Sequence, residues 1–352
     1  MQKKILASVA ALAVLAGVAL VGPSASAVTA TAIAGKGSSF ANGALQYCLS
    51  HYDPTSGDTV TYTATGSGTG RTEFAAGSIA WAATDAPYSS AAPSFAYKTI
   101  PLVGGPVVFA YNKNSGLPAG LKLDAPTISK IFKGTVKAWN DPSIKALNPG
   151  KTLPSAFILP FYRATGSGTT ANLTKYLASN SGSAWASGSN DLRAAAGGTF
   201  NSRATSKSTS SIIADKVEST KYAFGYFDLS DAAAANVYKA SLKNKAGQFI
   251  APSASTGALF LNGQTTIRDT TSPMTDGTLN IDFAKRISGA YQLTVVTYGL
   301  APVGSTEKSR AVEGWFKYVV NTCMPARAAG LGYVPLSGAL KTSALAQINA
   351  IY

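Results

Sequence analysis

Apolar and polar positions fall into two alternating kinds of run along this chain. Short apolar runs over 79–84, 101–111, 156–163, 222–227 and 293–300 have the length and residue types of buried strands. Helical periods lie between them. Leu45, Cys48, Leu49 and Tyr52 recur at i, i+3, i+4 and i+7, so a helix over 41–52 buries Cys48. Leu173, Tyr176 and Leu177 mark the inner face of a second helix over 170–179, and a short one is expected over 72–76. Val312, Phe316, Val319, Val320 and Cys323 keep a similar period near the end of the chain. Strands alternating with helices predict α/β architecture with a mixed or parallel sheet. Ser/Gly/Ala-rich stretches over 179–190 and 197–211 carry no packing signal and read as surface loops.

The first apolar run belongs to a leader rather than to the fold. Lys3 and Lys4 form a basic start, residues 5–21 an apolar stretch, and Ala25-Ser26-Ala27 a small-residue cleavage site. This pattern predicts a secretory signal peptide over 1–27, with the mature chain starting at Val28. The stretch is short for a membrane span, and the cleavage site follows it directly. No cysteine stands at that site to carry a lipid anchor, so the mature protein is expected to be extracytoplasmic and unanchored.

Removing the leader deletes two lysines and no acids, so the formal charge falls from +14 to +12. The balance reflects few acids, 16 in all, more than many bases, and it favours anionic surroundings or ligands. Nucleic acid fits poorly, because the lysines are scattered, no run of five or more occurs and secretion argues against it. The roughly 325 residues left exceed one average domain, which points to two lobes. Cys48 and Cys323, on apolar helical faces in an oxidising compartment, are expected to form a disulfide. Two buried free thiols are the alternative. His51, the one histidine, and two distant cysteines give no metal-ligand spacing.

Candidate chemistry sits in three Gly-Ser-Thr segments, each leading into a helix. They are Gly35-Lys36-Gly37-Ser38-Ser39-Phe40, Thr65-Gly66-Ser67-Gly68-Thr69-Gly70 and Gly166-Ser167-Gly168-Thr169-Thr170. A helix start leaves N–H groups without partners and its dipole favours negative charge, so each is an anion seat. Arg163 stands just upstream of the third. Asp85 ends an apolar run and precedes Ala86-Pro87, a position that also suits a turn cap. A carboxylate facing an anion is useful only where the anion carries a proton, as phosphate does near neutral pH and sulfate does not.

Further ordered motifs are Ala83-Thr84-Asp85-Ala86-Pro87, Val103-Gly104-Gly105, Tyr111-Asn112, Ile131-Phe132-Lys133-Gly134, Trp139-Asn140-Asp141-Pro142, Leu147-Asn148-Pro149-Gly150, Leu153-Pro154 and Gly225-Tyr226. Together with the glycine segments and Arg163, they make the mature chain resemble the PstS-like phosphate-binding protein of the bacterial phosphate ABC importer. The resemblance implies a two-lobed periplasmic-binding-protein fold, type II-like, closing on one dehydrated phosphate. Carried over by position, it implies a phosphate-binding set of Ser39, Phe40, Ser67, Asp85, Arg163, Ser167, Gly168 and Thr169. Asp85 would accept the phosphate proton and Arg163 would supply the positive charge. It also implies lobes of 28–103 with 294–352, and of 104–293, with the glycines of the first crossing suited to a hinge. Thr165 departs from the pattern, because the family often has an aspartate there that pairs with the arginine, so Arg163 is expected to be less restrained. A monomer, inorganic phosphate and membrane permease subunits are the implied partners, with no cofactor. The stretch 139–154 reads as scaffold.

An enzyme is disfavoured: the chain has no Gly-x-Ser-x-Gly elbow, no carboxylate cluster for metals and no P-loop order. Another tetrahedral oxyanion, or an adhesive role at the cell surface, remain the competing readings.

Overall fold

A computed structural model describes residues 29–352 except 183–184, 265–266, 269–271 and 273–275, and the expected leader with its cleavage site lies outside the described residues. One nine-stranded sheet organises the described chain. At one end Thr59–Ala64, Ala32–Gly37 and Trp81–Thr84 run parallel as neighbours. Thr294–Pro302 follows antiparallel, and then Tyr97–Asn112, antiparallel again. Ala223–Asp228, Leu159–Arg163 and Thr205–Lys207 complete the far end as a second parallel group, while Val237–Lys239 pairs with the end of the long strand. Trp81–Thr84 and Ala223–Asp228 are buried at every position. That is why they read as unbroken apolar runs rather than as alternating ones.

The sixteen-residue strand Tyr97–Asn112 serves both halves of the sheet. Its residues 97–106 pair with 294–302, and its residues 107–111 pair with 224–228. Gly104 and Gly105 lie where the partner changes. Neither has a positive φ. Their need for glycine is close approach, since a Cβ would stand 2.3 Å from Leu261 Cδ1 at Gly104 and 3.0 Å from Phe40 Cζ at Gly105.

Two expectations from the pattern need correcting. The second helix is Ser67–Ala75, not a short turn over 72–76, because its first residues are the small polar ones of the glycine segment. The stretch 197–211 is not loop throughout. It holds Thr205–Lys207 and the start of Ser210–Ser219, whose apolar face (Ile213, Val217) begins just beyond the run of serines. Trp185 in the other loop is buried, and its indole N–H donates to Ser129 Oγ at 2.7 Å.

Two ties hold the chain ends together. The structure joins Cys48, in the last turn of helix Asn42–Leu49, to Cys323, with Cα atoms 5.7 Å apart. Asp58 accepts from both Arg310 Nη1 and Nη2 at 2.8 Å, from Ser56 Oγ at 2.6 Å and from Thr31 N at 2.9 Å. Chiefly through the Arg310 bonds, these hold its pKa down at about 2. A carboxylate whose pKa falls on folding stabilises above its unfolded value and loses that contribution as pH falls through the folded one. Asp58→Asn should therefore cost about 1–2 kcal/mol at neutral pH. In urea unfolding, the gap to wild type should close between about pH 4 and pH 2; a gap independent of pH would show that the ion pair contributes nothing.

Candidate functional site

The carboxyl ends of the parallel strands in both halves meet at one buried place, as expected for open α/β sheets. Ala32–Gly37 delivers Ser38 and Ser39, Trp81–Thr84 delivers Asp85, and Leu159–Arg163 delivers Arg163. Thr205–Lys207 leads into Ser208, Thr209 and Ser210. Ser38, Ser39, Ser67, Asp85, Arg163, Ser167, Thr169 and Ser210 are all buried.

The three glycine segments touch one another. Gly68 N–H donates to Gly166 O at 2.6 Å, a contact so close that a Cβ on Gly68 would stand 2.8 Å from Gly166 Cα. Ser39 Oγ accepts from Ser210 N–H at 3.1 Å. Gly168 must lack a side chain because a Cβ there would lie 2.5 Å from Ser67 Oγ and 3.0 Å from Asp85 Cβ. Tyr62 Oη donates to Ser38 O and Tyr333 Oη to Phe40 O, which fixes the first segment from two sides. Ser167 Oγ caps helix Gly168–Asn180 through Thr170 N–H at 3.1 Å. The Gly168 and Thr169 amides, at the first turn, have no intrahelical acceptor and suit an anion.

Asp85 is held by four hydroxyls. Oδ1 accepts short bonds from Ser38 at 2.5 Å and Thr297 at 2.7 Å. Oδ2 accepts only long ones, both 3.3 Å, from Ser67 and Thr169. Burial pushes its pKa up, against the lowering effect of the Ser38 and Thr297 bonds and the Arg163 charge. Asp85 is thus no mere turn cap.

Arg163 is buried and donates through Nε and Nη2 to Ser208 O, at 3.1 and 2.7 Å, and through Nη1 to Ser210 Oγ at 3.3 Å. None of its ion pairs with a carboxylate occurs among the described residues. Asp228, also buried, is pushed well up by burial and by its neighbour Asp231, while burial lowers the Arg163 pKa against the charges of Asp85, Asp228 and Asp231. The arrangement therefore offers one cation, one strong acceptor and a ring of hydroxyls and amides in a water-poor setting.

A family model described as a PBP superfamily domain matches residues 22–322. The phosphate-binding protein PstS 3 of Mycobacterium tuberculosis is 31% identical over 308 residues, covering 84% of this chain and 80% of its own. PstS of Haemophilus influenzae is 32% identical over 230 residues, with 64% and 66% covered. The chain belongs to the PstS family. Among solved structures, a periplasmic phosphate-binding protein (PfluDING) bound with phosphate superposes with a TM-score of 0.73 at 19% identity, covering 89% of this chain and 93% of its own. The phosphate-binding protein from Stenotrophomonas maltophilia gives 0.67 at 19% identity, covering 90% and 93%. These likenesses show the two-lobed periplasmic-binding-protein fold.

Against the PstS pattern, Thr165 turns out to lie away from the arginine: its hydroxyl donates to Asp191 Oδ2 at 2.7 Å. Arg163 is restrained all the same, by the Ser208 carbonyl in place of an aspartate. Four site residues escaped the sequence reading, Asn172, Ser208, Ser210 and Thr297, while Ser38 lay within the first glycine segment but outside the expected binding set. Asn172 Nδ2 donates to Asp85 O at 2.6 Å and Gly168 O at 3.0 Å, joining the second and third segments. A usable signal existed for Ser210, because Thr209 and Ser210 precede an apolar helical period as capping residues do. Thr297 was visible only as a polar residue inside an otherwise apolar strand.

Proposed function

We propose that this protein binds inorganic phosphate outside the cytoplasm and delivers it to the permease of an ABC importer. One observation carries the reading: a buried carboxylate with one loosely held oxygen shares a site with a buried guanidinium that makes no ion pair among the described residues. Family membership and the names of the relatives support it. Phosphate would be enclosed by the amides of Ser39, Phe40, Gly168 and Thr169 and the hydroxyls of Ser39, Ser67, Ser167 and Thr169. The Ser67 and Thr169 hydroxyls would turn from Asp85 Oδ2 to phosphate oxygens, which frees Oδ2 to accept the phosphate proton. Arg163 would keep Ser208 as its anchor and direct Nη1 at the anion. The lobes would be 28–103 with 294–352, and 104–293, with the signal peptide cleaved after Ala27.

Calorimetric titration of the purified mature chain with phosphate, sulfate and arsenate tests this. Phosphate and arsenate should bind and sulfate should not; equal affinity for sulfate would remove the basis of the reading. Arg163→Met should weaken phosphate by several hundredfold or more, because a charge-assisted and desolvated interaction worth about 3–4 kcal/mol is lost. Unchanged affinity in a folded Arg163→Met variant would exclude Arg163 from the site.

A further inference from the structure

A second cavity lies beside the site, behind Asp85. Its volume is about 690 Å³, far more than one tetrahedral oxyanion needs and within the range of organic-ligand pockets. Asn172 and Asp85 both line it, and the Asn172 amide bonds the Asp85 and Gly168 carbonyls at the border with the site. The Asp85 carboxylate turns the other way, toward Ser38, Thr297, Ser67 and Thr169. The lining carries three cations from three elements: Arg71 of helix Ser67–Ala75, Lys175 of helix Gly168–Asn180, and Arg268. Arg71 is pinned by Nη1 bonds to Thr84 Oγ1 at 2.9 Å and Ala86 O at 2.8 Å, and Arg268 Nη2 donates to Asn280 Oδ1 at 2.8 Å. Among the described residues none of the three pairs with a carboxylate. Asp282 is the one other acid in the lining, and its Oδ1 accepts from Ala284 N–H.

Three like charges around one space repel each other, and partial burial raises the cost. Lys175 registers this directly, with a pKa lowered by burial and by Arg268. A partner of opposite sign would reverse both effects. A cavity of this size has room for more than a single phosphate, and a chain of linked phosphates offers charge to several of its cations at once.

We infer that this cavity is a second anion site that takes a molecule bearing two or more linked phosphate groups, held by Lys175 and Arg268 with Arg71 at the wall nearest Asp85. It is distinct from the orthophosphate site but rests on that reading for the identity of its neighbour. A ligand there would contact both helices that also supply Ser67 and Thr169.

Tripolyphosphate, titrated into the full mature chain already saturated with orthophosphate, decides the matter. One equivalent should bind without displacing the orthophosphate. The double variant Lys175→Gln/Arg268→Gln should bind tripolyphosphate at least tenfold more weakly, roughly one charge-assisted contact or more. Its orthophosphate affinity should stay within about twofold of wild type, as neither residue enters that site. Absence of tripolyphosphate binding, displacement of orthophosphate by it, or equal binding to the double variant would each overturn the proposal. Were orthophosphate itself not to bind, the primary reading would fall, while the dependence of tripolyphosphate binding on Lys175 and Arg268 would still decide this one.

Discussion

Asp85→Asn is expected to collapse the preference for phosphate over sulfate from about a thousandfold to about tenfold or less. Sulfate brings a fully deprotonated oxygen against the carboxylate, which leaves two acceptors facing each other without a hydrogen between them. In a closed site that repulsion and the unmet desolvation are worth about 4 kcal/mol or more. An amide at this position can turn its NH₂ toward sulfate, so the penalty disappears for sulfate while phosphate loses only one acceptor. The Ser38 and Thr297 hydroxyls still find an oxygen on the amide, so the fold around the site should survive. Wild type should show the same trend with pH. Burial raises the Asp85 pKa, so its carboxyl protonates at a higher pH than an ordinary aspartate as the solution is acidified. Once protonated it donates rather than accepts, and sulfate binding should rise as phosphate binding falls. Calorimetry with both anions across the acidic range checks this; a ratio unmoved by the substitution would remove Asp85 from discrimination.

Loss of the link between Cys48 and Cys323 should be the largest stability effect in the molecule. The bond closes a loop with a sequence separation of 275 residues. In the chain-entropy model so long a loop contributes about 5 kcal/mol, and measured values commonly fall at 2–5 kcal/mol. Cys48→Ala/Cys323→Ala should therefore lower the midpoint of thermal unfolding by roughly 3–7 °C. Phosphate affinity at moderate temperature should change little, because Cys48 lies at the end of the first helix opposite Ser39 and neither cysteine belongs to the binding set. Reductant should shift wild type by a comparable amount and leave the double variant untouched. Two free thiols on alkylation of unreduced protein, or equal stability of wild type and variant, would contradict the expectation.

The parts of the site legible in the sequence are those carried by contiguous residues. Each glycine segment holds its strand end, turn and helix start within about six positions, so local chemistry alone points to an anion seat. Asp85 was legible as a strand-end carboxylate, and its role was not. What decides the role is the company it keeps: Thr297, 212 positions away, and Thr169, 84 away, both donate to it. Ser210 meets Ser39 across 171 positions and lies in a stretch too rich in serine to announce burial. Such contacts depend on how the two halves of the sheet meet, and no local pattern encodes that. The helix Ser67–Ala75 was underestimated for a related reason, since small polar residues at its start gave no apolar period to count. Arg163 shows the converse. The family's aspartate is absent at Thr165 and Arg163 was expected to be less restrained, yet a backbone carbonyl, which every residue type supplies, does the restraining and leaves no mark in the sequence.

The shared long strand has a consequence for how such a gene can change. Residues 97–106 complete one half of the sheet with 294–302, and residues 107–111 complete the other with 224–228. The first half is therefore written in two separate stretches of coding sequence, with the whole of the second half inserted between them. A single recombination event between relatives, anywhere from codon 107 to codon 293, would graft mismatched partners onto the same strand. Exchange of one whole half needs two joints at once, the first of them inside the buried strand Tyr97–Asn112 and in register. Lineages of this architecture should accordingly diverge by point substitution at the site rather than by shuffling halves.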